Sequence, residues 1–126
     1  MPTAVQLIAE HRNVDQLLLP TGSILFERGE SATALYAIER GLVELTTGAR
    51  DRLRYGDGEV FFYEDLVAED AHHSRTARAI TPVHVLRLDR NSFLELIHGH
   101  PTLVLSLLSG QHRRLREQRL EAAHFY

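Results

Sequence analysis

The chain has 126 residues, 44% of them hydrophobic and 25% charged, with a formal net charge of −3. That is enough for one domain around a single core, and the mild acidity argues against a principal nucleic-acid-binding unit while leaving room for a small local basic patch. The absence of cysteine excludes disulfides, thiolate metal sites and cysteine nucleophiles, and suits a cytoplasmic protein.

No basic region followed by an apolar run opens the chain, so no signal peptide is predicted. No apolar stretch approaches the ~20 residues of a membrane span. Residues 3–12, "TAVQLIAEHR", read as a short helix capped by Thr3, with Val5, Leu7, Ile8 and His11 near one face.

From Asp15 the texture changes. The apolar runs "QLLLPTG", "SILFERGE", "LYAIERG", "LVELTTG", "DRLRYGDG" and "EVFFYED" follow one another, each bounded by turn residues. Short runs punctuated in this way predict antiparallel strands. Gly22, Gly29, Gly41, Gly48, Gly56 and Gly58 fall where turns call for positive φ. Alternation assigns faces: Ile24 and Phe26 against Leu25 and Glu27, and Val43 and Leu45 against Leu42, Glu44 and Thr46.

The stretch "YEDLVAEDAHHSRTARA", residues 63–79, gathers acids, histidines and arginines in one connection. Two further strands, "SRTARAI" and "VHVLRLD", lie on either side of Pro82, which marks a bend or an edge. Asp89 opens a helix by capping Asn91 or Ser92, with Phe93, Leu94, Leu96 and Ile97 as its apolar stripe. "HGHP" ends it, and Pro101 suits the first turn of a last helix over about Thr102–Ala122. In that helix Val104, Leu108, Gln111, Leu115, Gln118 and Ala122 form a coiled-coil-like seam, the expected homodimer interface.

The predicted architecture is therefore mainly β with flanking helices: a short N-terminal helix, about eight strands and two C-terminal helices in one domain, 1–126. Residues 1–14 form the N-terminal segment, 15–89 the strands with the charged connection at 63–79, and 90–122 the helices.

In this order the pieces "LPTGSILFERGE", "LYAIERGLVEL", "YGDGEVF" and "VLRLDRNSFLELIHGHP" resemble the cyclic-nucleotide-binding domain of Crp/Fnr-type regulators, kinase regulatory subunits and gated channels. The resemblance runs from Leu17 to about Gln118. It implies an eight-stranded jelly roll, a cytoplasmic ligand sensor and no catalysis. It also places residues 63–79 at the family's phosphate-binding cassette. There a short helix offers amides to the cyclic phosphate, a glutamate holds the ribose and an arginine neutralises the phosphate.

The resemblance implies Tyr63, Glu64, His73, Ser74, Arg75 and Thr76 as ligand-binding residues. Two alignments are open at the ribose glutamate: one inserted residue makes it Glu64, and no insertion puts Tyr63 there. His73 falls at the phosphate-arginine position, with Arg75 two residues on and, in a strand, on the same face. Either Arg75 rescues an anion site or the cassette is abandoned and its charges are solvated. The implied ligand is a cyclic nucleotide or another small anion. The expected partner is a second copy, with no direct nucleic-acid binding by this segment and no membrane.

Metal binding is disfavoured. Adjacent His72 and His73 on a strand face opposite sides, His98 and His100 lie at a helix–helix turn, and the paired histidines and glutamate of cupins are missing. Tyr55, Phe61 and Phe62 read as core or pocket wall. The sequence shows no paired carboxylates at a plausible catalytic spacing and no nucleophile–base arrangement, so an enzyme is not expected. Met1 suits an authentic start, and the chain reads either as a stand-alone sensor or as a fragment of a longer regulator.

Overall fold

The computed structural model describes residues 3–48, 52–61 and 72–103. Helix α1 spans Ala4–Ala9 and is shorter than the predicted stretch. Its start is closed by a capping box: the Gln6 amide donates to Thr3 Oγ1 at 3.1 Å, and the Thr3 amide donates to Gln6 Oε1 at 2.8 Å. Two orphan helix-end donors are thereby satisfied. Val5 and Ile8 are buried, as the apolar face requires.

Eight strands follow: β1 Asp15–Leu19, β2 Ile24–Phe26, β3 Ala34–Arg40, β4 Val43–Thr46, β5 Arg52–Tyr55, β6 Val60–Phe61, β7 Thr76–Ala79 and β8 Val83–Asp89. They form two four-stranded antiparallel sheets, ordered β1-β8-β3-β6 and β2-β7-β4-β5. Helix α2, Arg90–Gly99, follows β8 directly.

The first sheet is buried on both faces. Tyr36, Ile38, Val83 and Val85 face the second sheet and pack with Phe26, Val43, Leu45, Phe61, Ala77 and Ala79. From the same strands Leu35, Ala37, Leu86 and Leu88 face the other way, against Val5 and Ile8 of α1 and Phe93 and Leu96 of α2. This explains why β3 reads as an almost unbroken apolar run and why both Leu86 and Leu88 flank the exposed Arg87. Each fully buried aliphatic side chain contributes about 1.5–3 kcal/mol relative to leaving it in water.

Four local expectations are corrected. Ile24 and Phe26 do not share a face: a register shift between them leaves Phe26 buried at 3% exposure and Ile24 exposed at 44%. A bulge adds one residue on one strand and so breaks the period of two. The strand predicted as "SRTARAI" begins only at Thr76, with Ser74 and Arg75 in a bend. In α2, Leu94 lies outside the buried stripe at 41% exposure. Gly56 also lacks the positive φ that the other five turn glycines have.

At Gly41 the need for glycine is strict. Its φ is 108°, and a Cβ would lie 2.5 Å from the Pro82 carbonyl oxygen and 2.6 Å from a Val83 methyl. Here the β3–β4 turn is pressed against the entry to β8. Helical backbone resumes at Thr102 and Leu103. The rest of the predicted last helix, including Val104, Leu108, Gln111, Leu115 and Gln118, lies outside the described residues. Among the described residues no helix is long and apolar enough to cross a membrane.

Asp89 caps α2, its carboxylate accepting from the Ser92 amide and hydroxyl. The Ser92 hydroxyl bond holds the Asp89 carboxyl below its ordinary value despite the opposing cost of desolvation. A folded-state pKa below the unfolded one stabilises fully above the unfolded value and is lost as pH falls through the folded value.

Two outcomes are expected in urea unfolding. Gly41→Ala lowers stability by about 2 kcal/mol or more, since it combines backbone strain with a clash. Asp89→Ala costs about 1 kcal/mol at neutral pH, and its difference from the parent narrows as pH drops below the carboxylate range.

Candidate functional site

The charged connection leaves β6 at Phe61 and returns at His72. Tyr63 and Glu64 lie outside the described residues, so the two alignments of the ribose glutamate stay open. The return is firmly placed. The His73 amide donates to the Glu30 carbonyl oxygen at 2.8 Å, and the Gly29 amide donates to the His73 carbonyl oxygen at 2.8 Å. A bridge between Ser31 and His72 extends the pairing by one residue. The exit of the connection is thus bonded to the turn between β2 and β3, which fixes where residues 73–76 stand.

His72 is exposed and His73 is buried, at 3% exposure. The two adjacent imidazoles therefore occupy different environments, in accord with their predicted opposition. The His73 ring stacks on Phe26, with centroids 3.6 Å apart and planes at 12°. Phe26 also meets Tyr36 at 5.3 Å and Phe61 at 6.5 Å, and Tyr55 stacks on Phe61 at 5.0 Å. An aromatic group thus fills the barrel interior beside the connection. Such pairs add about 0.5–1.5 kcal/mol each beyond the area they bury.

Burial raises the Tyr36 hydroxyl above its ordinary value, opposed by the Arg87 charge and reinforced by Glu30. Tyr36 and Arg87 are cross-strand partners on β3 and β8.

Three of the other expected residues, Ser74, Arg75 and Thr76, lie in the described segment that follows His73. Ser74 is exposed and Arg75 half-buried, both in the bend before β7. Because they are not in a strand, the expected same-face relation of Arg75 to His73 does not apply. Thr76 begins β7, where the inward neighbours Ala77 and Ala79 are buried. Alternation therefore turns Thr76 to the outer surface, where its Oγ1 accepts from the Arg28 amide at 3.0 Å.

Phe26 and Tyr36 were not expected at this site, whereas Phe61 and Tyr55 were. No local pattern reveals the Phe26–His73 stack, because it depends on β2 pairing with β7. His98 and His100 are exposed at the end of α2. Among the described residues no cluster of histidine and carboxylate side chains could hold a metal ion.

Residues 16–100 match the cyclic nucleotide-binding domain family. The chain belongs to that family. A cyclic AMP receptor protein of Thermus thermophilus is 33% identical over 109 residues, which are 82% of this chain and 50% of the receptor. A Rhodopseudomonas palustris protein named as a potassium channel is 38% identical over 85 residues, 65% of this chain and 20% of that protein. The crystal structure of the Thermus thermophilus catabolite activator protein superposes with a TM-score of 0.74 at 29% identity, over 99% of this chain and 60% of the activator.

The chain therefore spans half or less of these curated relatives' length, and its homologues among regulators are of the Crp/Fnr type. The eight-stranded jelly roll expected of the family is the fold observed. The named relatives are a receptor, an activator and a channel, none of them an enzyme.

His73→Ala is expected to lower stability by about 2 kcal/mol by opening a gap against Phe26. His73→Phe, which keeps the stack, should cost under about 1 kcal/mol. Equal losses in thermal and urea unfolding would show that the stack does not hold the connection's exit.

Proposed function

We propose that this chain is the ligand-sensing domain of a Crp/Fnr-type regulator, and that its ligand is a cyclic nucleotide or a related small anion. Family membership over residues 16–100 supports the sensing role. The observation that carries the finer reading is the anchored exit of the connection. Backbone bonds to Gly29 and Glu30 fix His73, and the next residues, Ser74 and Arg75, sit in a bend with solvent access. A phosphate there would meet a hydroxyl and a guanidinium side by side, a strong donor set for an anion.

In this reading the roles are divided differently from the family's usual arrangement. Arg75 neutralises the phosphate, Ser74 donates to it and Glu64 takes the ribose, with Tyr63 as a wall. His73 packs underneath as part of the core. Thr76 braces the bend from outside through Arg28. Binding would shift the population of last-helix orientations, and so change how two copies associate along Val104, Leu108, Gln111, Leu115 and Gln118.

Calorimetric titration with cAMP, cGMP and cyclic di-nucleotides tests the reading directly. Heat and a thermal shift are expected with at least one of them. Arg75→Ala should weaken that binding by about 2 kcal/mol, roughly 30-fold, through loss of a charge-assisted hydrogen bond.

A second reading draws on His73 itself. In this reading His73, a buried imidazole stacked on Phe26, takes the place of the family's phosphate arginine, as in a ligand-free module that keeps the fold for dimerisation or protein interaction. That reading gains if no cyclic nucleotide produces heat and both Arg75→Ala and Glu64→Ala leave every response unchanged. In either reading Leu115→Glu should convert the dimer to monomer in sedimentation velocity.

A further inference from the structure

The outer face of the second sheet carries a charge pattern that neither the core nor the cassette uses. Strands β7, β4 and β5 pair in register, so their outward residues line up in rows: Arg78–Glu44–Arg54 and then Thr76–Thr46–Arg52. The intervening Ala77, Ala79, Val43 and Leu45 are buried, which fixes the outward direction of those rows. Arg28 closes the margin, its guanidinium donating to the Thr47 carbonyl oxygen at 3.1 Å.

Among the described residues the face holds fewer acids than arginines. Glu44 sits between Arg54, 3.0 Å away, and Arg52, 3.7 Å away. One carboxylate thus serves two guanidinium groups whose side chains remain 57% and 64% exposed. Arg78, on the other side of Glu44, is exposed and makes no ion pair among the described residues. Even with Glu27 at the edge of β2, the face is positive on a chain whose formal net charge is −3.

The spacing selects the partner. Arg52 and Arg54 are two residues apart on one strand, about 6.8 Å along the chain. That is also the repeat of same-side residues in any extended peptide. Carboxylates at alternate positions of such a peptide would meet these arginines one to one, and guanidinium forks suit carboxylates bidentately. β5 is the edge strand of its sheet, so an extended segment can lie along it.

Nucleic acid fits less well. The rows contain arginine, threonine and glutamate but no aromatic ring to stack on bases, and base stacking is a main source of single-strand affinity.

We propose that the arginine face of strands β7, β4 and β5 docks an extended acidic protein segment with carboxylates at alternate positions. This is independent of whether the cassette binds a ligand.

The test uses the full chain and a fluorescein-labelled peptide of alternating glutamate and threonine, followed by anisotropy at low salt. Binding is expected. It should weaken about tenfold or more in Arg52→Glu/Arg54→Glu and decline as added salt shortens the screening length. Glu44→Gln, which removes the internal counter-charge, should tighten it. If the double variant loses its native circular dichroism, the response of Glu44→Gln decides. The proposal is overturned if the peptide fails to bind, if a folded double variant binds it equally well, if Glu44→Gln leaves affinity unchanged, or if a DNA oligomer binds more tightly than the peptide.

Discussion

The β3–β8 pair is the constraint on which the other elements depend. Both strands are buried on both faces, so each successive side chain has a different set of neighbours. One face supplies Tyr36, Ile38, Val83 and Val85 to the barrel interior, and the other supplies Leu35, Ala37, Leu86 and Leu88 to the helix layer. Because the side-chain period of a strand is two, a slip of one residue would exchange the two sets. The register is therefore fixed twice over, and with it the placement of α1 and α2. The same arrangement couples the layers mechanically. A close-packed interior transmits displacement, and the residues that would move with a change inside the barrel share a backbone with those that seat α2.

The end of the barrel beside the charged connection is built from aromatic rings rather than from polar groups. Phe26, Tyr36, Phe61 and His73 form one group, and His73 enters it because its backbone is bonded to the β2–β3 turn on both sides. An arginine at that position would have to bury a permanent charge, which is costly without a partner. Imidazole can be neutral and flat, and so can stack on phenylalanine. This is why the residue that the sequence resemblance sets at the arginine position packs as core, with Ser74 exposed and Arg75 half-buried one and two residues along.

Much of the fold was legible because its determinants are local. Thr3 and Asp89 cap the helices they were expected to cap, since an Ncap needs only a side-chain oxygen two or three residues from a free amide. Val43 and Leu45 alternate inward as read, because β4 is regular. Where the reading failed, a non-local contact had intervened. The bulge in β2 separates Ile24 from Phe26 through its pairing with β7. The bend at Ser74 and Arg75 interrupts what composition presents as a continuous strand.

The sequence by itself determined the jelly roll, the caps of helices α1 and α2 and the family, because hydrophobic period, turn residues and capping pairs act over a few residues. Tertiary structure alone decided what those positions became. It buried His73 against Phe26, turned Thr76 outward to Arg28, and aligned Arg78, Glu44 and Arg54 across three strands. Each of these joins residues that are distant in sequence. Only the pairing of strands brings such residues within contact distance, and no pattern along a single strand encodes which partner that will be.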